Sequence, residues 1–363
     1  MRHETLGPSC PSRPICLGIS ILAAFAVAFA APALGGDNQQ ERGMALVVRA
    51  TQLENLLSPD TGPFRLRVHV KLFGLVDGTR EGQCMLVAAS PTQWFGTTRF
   101  PGYNETTGLA DGQQWRKRNV IDKPYRFHEV TRLLDLATHL RLPPDAMVKR
   151  LAQKDVGGRP AFCIDVAPTS DLWQKDIVGK AAISEVARSK DSEATLCFDG
   201  DTGALVSASY GGALPRFEYE GQVTLGAKAY PKTLRCYEGK ELAAEATVEE
   251  LAVQDALQAE GSFAPPAGAE KWPFCPAIEP PKLVAKKEAE DDTYARARRE
   301  FGTVIALLEV GTDGTVHDLA FVQARGVLHD NVKTAVKNWR YQPAMCNGVP
   351  VPAEVYLAYT FRP

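Results

Sequence analysis

The stretch Gly302-Thr303-Val304-Ile305-Ala306-Leu307-Leu308-Glu309-Val310-Gly311-Thr312-Asp313-Gly314-Thr315-Val316-His317-Asp318-Leu319-Ala320-Phe321-Val322-Gln323 decides how the end of the chain folds. Val304, Ala306, Leu308 and Val310 alternate, and a period of two marks a strand with one buried face. Asp313-Gly314 is a hairpin signal, because the tight turn needs positive φ and glycine reaches it without a steric cost. Val316–Val322 then returns as a second strand. Leu328–Trp339 switches to helical spacing, with Leu328, Val332, Ala335, Val336 and Trp339 on one face. Trp339-Arg340-Tyr341-Gln342-Pro343-Ala344 ends the helix, Asn347-Gly348 turns, and Pro352–Phe361 closes the unit as a strand. The pattern predicts a β-β-α-β unit, a helix packed on an antiparallel sheet.

The order of these elements resembles the C-terminal domain of the TonB energy-transducer family. The matching residues are Gly302-Thr303-Val304, Asp313-Gly314, Gly326 with Leu328, Trp339-Arg340-Tyr341 before Pro343-Ala344, Asn347-Gly348-Val349-Pro350-Val351, and the final aromatic Phe361. Before the first strand, where the family has Pro-x-Tyr-Pro, this chain has Asp291-Asp292-Thr293-Tyr294. The resemblance implies that a short peptide of an outer-membrane transporter pairs with the last strand. Ala353, Val355, Leu357, Tyr359 and Phe361, with their neighbours, would form that contact. A bare strand edge offers unpaired N–H and C=O groups to such a peptide, so the contact is mainly backbone. One alternating set of these side chains belongs to the core on the simplest reading.

Upstream, 276–299 reads as a linker, with Pro276, Pro280 and Pro281 followed by Lys282, Lys286 and Lys287. Residues 41–275 read as a β-rich domain. Phe64–Phe73 alternates Leu66, Val68, Val70 and Leu72 against Arg65, Arg67, His69 and Lys71, the pattern of a strand with one wet face. Further strands are expected at Gln83–Ala89, Gln93–Phe100, Gln113–Val120, Pro160–Val166, Ala194–Phe198, Leu205–Tyr210, Arg216–Tyr219, Lys232–Tyr237 and Leu242–Leu251. Helices are expected at Glu41–Leu57 and Tyr125–Leu140, the second stopped by Pro143-Pro144. Ser170–Glu193 reads as an insertion. The fold class is therefore α+β: a large curved antiparallel sheet with a covering helix, followed by the small β-β-α-β domain over 300–363. The large domain is similar to half-barrel envelope proteins of the lipoprotein-carrier (LolA-like) type. Its landmarks are Trp94, Phe100-Pro101-Gly102-Tyr103, Trp115-Arg116-Lys117-Arg118, Cys163 before Cys197-Phe198-Asp199, and Trp272-Pro273. That resemblance implies a concave apolar surface able to take acyl chains, against a core simply closed by the same side chains.

The first 33 residues read as a secretory signal: Arg2 and Arg13, an apolar run Ile15–Ala31, and the small-residue site Ala31-Pro32-Ala33. The rival reading is an uncleaved inner-membrane anchor. Either places the body of the protein in the periplasm or cell envelope. The apolar run holds Ser20 but no histidine, and no long proline-rich spacer follows, so the family's motor coupling is not expected and the domain reads as a binding module. An oxidising compartment permits disulfides among Cys84, Cys163, Cys197, Cys236, Cys275 and Cys346. Six cysteines allow 15 full pairings; the preferred pairs are Cys163–Cys197, on neighbouring strands, and Cys275–Cys346, with buried free thiols as the alternative.

The 363 residues carry 41 Lys+Arg and 43 Asp+Glu, a net charge of −2, which excludes a strongly basic nucleic-acid binder. Trp115-Arg116-Lys117-Arg118 reads as a strand with a solvated basic face, or else as a contact to phosphate or anionic lipid. His128-Glu129 opens like a zinc-protease helix, but Arg132 stands where a second histidine would be. No nucleophile elbow, phosphate loop or paired-cysteine motif occurs. No enzyme, cofactor or metal is expected. The sequence reads as a non-catalytic envelope protein that binds a transporter or periplasmic partner by strand addition, linked to transmembrane transport. The alternative is a periplasmic lipid or lipoprotein carrier using the N-terminal half-barrel.

Overall fold

Why the chain forms a broad sheet is visible first in α1 and β1. Gln39–Glu54 (α1) buries Gly43, Val47, Ala50 and Glu54, one stripe along a helix. Phe64–Leu75 (β1) buries every second side chain from Phe64 to Leu72. A computed structural model describes residues 39–75, 78–142, 146–167, 194–210, 214–254, 263–275, 278–287, 302–323 and 327–361. The expected signal segment, the Pro143-Pro144 stop and the 170–193 insertion lie outside the described residues.

The strands that follow β1 are β2 (Gly78–Ser90), β3 (Gln93–Phe100), β4 (Tyr103–Ala110) and β5 (Gln113–Arg118), a meander of antiparallel neighbours. Two short helices come next, α2 (Tyr125–Leu134) and α3 (Leu136–Leu140). Then come β6 (Val148–Val156), β7 (Arg159–Val166), β8 (Ala194–Asp199), β9 (Leu205–Tyr210), β10 (Arg216–Glu220), the hairpin β11 (Val223–Leu225) and β12 (Lys228–Tyr230), β13 (Thr233–Glu238), β14 (Glu241–Val253) and β15 (Glu270–Pro273). Thirteen of these make one sheet in the order β15-β5-β4-β3-β2-β1-β14-β13-β10-β9-β8-β7-β6. Its two halves, β15 with β2–β5 and β6–β10 with β13, meet at the seam where β1 pairs with β14, Phe64 opposite Val253.

One face of this sheet holds the core. Phe64, Leu66, Val68 and Val70 lie there with Ile164, Leu196, Phe198, Phe217 and Leu234, and the helices add Val47, Phe127, Val130 and Leu133. Each fully buried aliphatic or aromatic side chain contributes about 1.5–3 kcal/mol. Tyr103 stacks on Phe127, with ring centroids 3.8 Å apart. Gly43 lets α1 approach β6, since a Cβ there would lie 2.9 Å from both Val148 methyls.

The expected helix over Tyr125–Leu140 is two helices. Asp135, at φ −94° and ψ 82°, leaves the helical region between Leu134 and Leu136. The break turns His139 under the sheet, where its ring accepts or donates at Tyr210 Oη (2.6 Å) and meets the Arg132 carbonyl (3.0 Å). Burial pushes its pKa down to about 4. Strands β4 and β6 were not among the expected elements.

The C-terminal part contains β16 (Lys282–Ala285), β17 (Gly302–Val310), β18 (Val316–Gln323), α4 (Val327–Val336), β19 (Arg340–Gln342), β20 (Ala344–Cys346), β21 (Val349–Val351) and β22 (Ala353–Phe361). Its main sheet is β18-β17-β22. Three short strands stand between α4 and β22 that the β-β-α-β reading did not include. Within the expected linker, Lys282–Ala285 is β16 and pairs with β19, while Glu279 bridges Met345. That part of 276–299 therefore belongs to the C-terminal architecture. No helix among the described residues is long and apolar enough to cross a membrane.

Candidate functional site

β22 pairs along its whole length with β17, from Val310 opposite Ala353 to Gly302 opposite Phe361. Among the described residues no strand pairs with its other side. Alternate N–H and C=O groups of the last strand therefore face outward, as at any sheet edge. The side chains divide differently. Val355, Leu357 and Tyr359 are buried in a core with Val304, Ala306, Leu308, Val332, Val336, Trp339 and Tyr341. Ala353 is buried in a separate cluster with Ala344, Cys346 and Val351. These four candidate contact residues hold the strand in place, and the main chain is what the edge presents. The side chain of Phe361 lies outside the described residues.

The motif residues build the turns and pins behind this strand. Asp313 accepts from the Thr315 N–H at 2.9 Å and from the Thr315 hydroxyl at 2.7 Å. Gly314 has φ +76°, and its carbonyl accepts the Tyr341 N–H at 2.8 Å. A Cβ at Gly314 would collide with the Tyr341 carbonyl oxygen. Asn347 and Gly348 both have positive φ, the geometry of a type I′ hairpin turn. Trp339 is fully buried, and its indole N–H donates to the Lys287 carbonyl at 2.7 Å, fixing the chain before β17. Arg340 donates to the Trp339 carbonyl at 2.8 Å. Gly302 pairs with Phe361, and Pro343 separates β19 from β20.

The second face of the β18-β17-β22 sheet is also covered. Leu307 is buried there, on the side shared by Glu309, Asp318 and Glu354 in register. Each of these carboxylates meets cations of the large domain. Arg116 makes a two-pronged contact with Glu309 (2.5 and 2.8 Å) and also reaches Glu270 at 2.7 Å. Arg118 pairs with Asp318 at 2.6 Å, which also accepts the Lys123 backbone N–H. His128 Nδ1 lies 2.9 Å from Glu354, and Arg132 lies 3.7 Å from it. Burial raises the Asp318 carboxyl above its ordinary range, against the opposing charge of Arg118. Burial pushes Glu354 the same way, but the hydrogen bond and charge of His128, with Arg132 and Lys123, hold it below the ordinary range.

This interface corrects the reading of Trp115-Arg116-Lys117-Arg118. Arg116 and Arg118 are neither solvated nor free for phosphate; internal carboxylates occupy them. Sequence reasoning missed Glu309, Asp318 and Glu354 as their partners. The only available signal was a charged residue on an apolar strand, and that reads equally well as a wet face.

Both preferred disulfides form. Cys163–Cys197 links β7 to β8, where these residues stand opposite each other. Cys275–Cys346 ties the chain after β15 to β20. Cys84 and Cys236 are buried free thiols.

The family described as Gram-negative bacterial TonB protein C-terminal matches residues 293–363. This segment is similar to the TonB C-terminal domain. No curated protein matches the chain. Among solved structures, the chain is similar to a LolA superfamily protein from Nitrosomonas europaea, at 8% identity over 58% of this chain and 93% of that one, TM-score 0.34. It is also similar to a DUF1329 family protein from Desulfovibrio piger, at 12% identity over 61% of this chain and 95% of that one, TM-score 0.38. At these scores the likeness transfers no residue role. Among the described residues, the last strand of the TonB C-terminal-like domain is thus paired with a strand on one side only, and the second face of its sheet is spent on the large domain.

Proposed function

We propose that this is a non-catalytic cell-envelope protein whose TonB C-terminal-like domain captures an extended segment of an outer-membrane transporter or another periplasmic protein. The captured segment adds to β22 as a fourth strand, in a process linked to transmembrane transport. The observation that carries this reading is the place of β22 at the end of the order β18-β17-β22, with no strand among the described residues beyond it. Main-chain hydrogen bonds supply affinity in such pairing, and side chains of the incoming segment set the choice. The core positions of Val355, Leu357 and Tyr359 make the edge rigid before the partner arrives, which reduces the ordering cost of binding.

Hydrogen exchange on the full chain tests this. Outward amides of Ala353–Phe361 should exchange quickly alone and slow when synthetic N-terminal peptides of outer-membrane transporters are added. The same peptides with alternate amides N-methylated should give no protection. Equal protection by the methylated and unmethylated forms would sink the strand-addition reading.

The second reading is a lipid or lipoprotein carrier. It rests on the broad antiparallel sheet with α1–α3 laid over one face. Extraction of the purified protein decides it: stoichiometric acyl lipid supports a carrier, and a clean extract counts against one.

A further inference from the structure

The sheet face turned away from α1–α3 carries a cavity of about 820 Å³, within the usual range for small-molecule sites. Strand register orders its floor into cross-strand rows. One row runs Arg65-Val87-Phe95-Gly108-Trp115, with Arg65 held by Glu250. The next runs Arg67-Met85-Thr97-Thr106. The third places Gln83 opposite Arg99. Of the residues that line the cavity, Phe95 and Trp115 stand in the first row and Arg67 and Arg99 in the second and third.

The aromatic end is roofed. Phe263 packs edge-on against Phe95 with centroids 5.7 Å apart, and Ala264, Pro265 and Pro266 line the cavity beyond it. Two side chains of β5 pin this strap: Trp115 donates to the Phe263 carbonyl at 3.2 Å, and Lys117 to the Ala267 carbonyl at 2.8 Å. Gly108 makes room for the indole, since a Cβ there would collide with the Trp115 ring.

The other end is charged and incompletely neutralised. The lining holds Arg67 and Arg99 and no carboxylate. Arg67 reaches Glu250 only at 3.8 Å, while Glu250 is held at 2.7 Å by Arg65. Gln83 leans on Glu249 at 3.4 Å. Arg99 is exposed and makes no side-chain ion pair or hydrogen bond among the described residues.

We propose that this cavity binds a single-chain amphiphile with an anionic head, a long-chain carboxylate, with its head on Arg99 and Arg67 and its chain along Met85 and Thr97 to the rim of the buried Phe95–Trp115 cluster, against Pro265 and Pro266. The complementarity is one of order: cations at the open end, aromatic rings at the roofed end, and a length of sheet between them. The site is independent of strand addition at β22. It also lies on the opposite face of the sheet from the helices, so it is distinct from the surface that the carrier reading uses.

Calorimetric titration of the full chain with dodecanoate, dodecanol and inorganic phosphate tests the proposal. Dodecanoate should bind saturably at one site, and the other two ligands at least about tenfold more weakly, the loss expected when a charge-assisted contact or the apolar chain is missing. Arg99→Glu replaces an exposed side chain and should leave the fold intact, while weakening dodecanoate by about tenfold or more. Arg99→Lys should retain most of the affinity. Absence of saturable dodecanoate binding, equal affinity for dodecanol or phosphate, or unchanged affinity in a folded Arg99→Glu variant would each overturn it.

Discussion

Two residues show how local chemistry constrains the molecule. Gly314 sits at φ +76° against the Tyr341 carbonyl. Gly314→Ala adds both a left-handed strain and a backbone clash, so about 2–3 kcal/mol should be lost in urea denaturation. A loss below about 0.5 kcal/mol would mean that the turn relaxes freely. Glu54 is a buried carboxylate whose two oxygens share the Leu205 N–H at 3.1 and 3.2 Å. Burial raises its pKa to about 8 from 4.5, against that hydrogen bond. The native chain therefore keeps a proton that the unfolded chain releases as pH rises from 4.5 to 8. Stability falls with rising pH across that window, by at most about 1.4 kcal/mol per unit. Glu54→Gln lacks this slope, so its advantage over the parent should grow between pH 5 and pH 8. Glu129, also raised to about 8 by burial and the charge of Glu238, titrates in both proteins and cancels in the difference. A difference flat with pH would show that Glu54 is ionised in the fold. Asp313-Gly314 could be read from sequence because a turn is a local object. Glu54 could not, since its burial depends on Leu205, which is 151 positions away.

At the scale of elements, legibility followed burial. β1 announced itself because one face is apolar and the other carries Arg65, Arg67, His69 and Lys71. β6 did not. It is an edge strand with mostly exposed and half-buried positions, so it has little apolar alternation to show. β4 was hidden by its threonines and by Gly108, which serves the Trp115 ring and not the pattern. The break at Asp135 interrupts a continuous apolar stripe, which periodicity reads as one helix. The edge placement of β22 followed from the resemblance to the TonB C-terminal domain and not from spacing, and the short strands β19–β21 were too brief to be read from spacing. The disulfide between Cys275 and Cys346 closes a separation of 71 residues around this domain. Replacing both cysteines with serine should cost roughly 4 kcal/mol on the loop-closure account. Chemical denaturation of the oxidised parent and the double variant measures it, and an unchanged midpoint would assign the bond no role in holding the domain.

At the scale of the whole molecule, the interface between the large domain and the TonB C-terminal-like domain is electrostatic at its centre. Arg118 and Asp318 are both nearly inaccessible. Arg118→Ala strands a buried carboxylate, so a loss of about 3–5 kcal/mol is expected. Arg118→Ala combined with Asp318→Asn should cost less than the sum of the two single changes, because the double variant no longer buries an unpaired charge. Strict additivity in thermal or urea denaturation would show that the two groups do not interact. None of this pairing was readable in the sequence, where the partners stand about two hundred positions apart and each looks like an ordinary surface charge.

The β1–β14 seam has a kinetic meaning. Phe64 finds Val253 only after nearly all of the large domain has been synthesised, and pairings so distant in the chain are slow to form. Until then the β1–β5 meander is a half-sheet with one long bare edge and an uncovered apolar face, a form prone to aggregation in a nascent protein. Folding of the thirteen strands is therefore gated by the arrival of β14. A chaperone that shields Phe64–Leu75 during this delay should raise the yield of native protein more than one that binds anywhere in β6–β9.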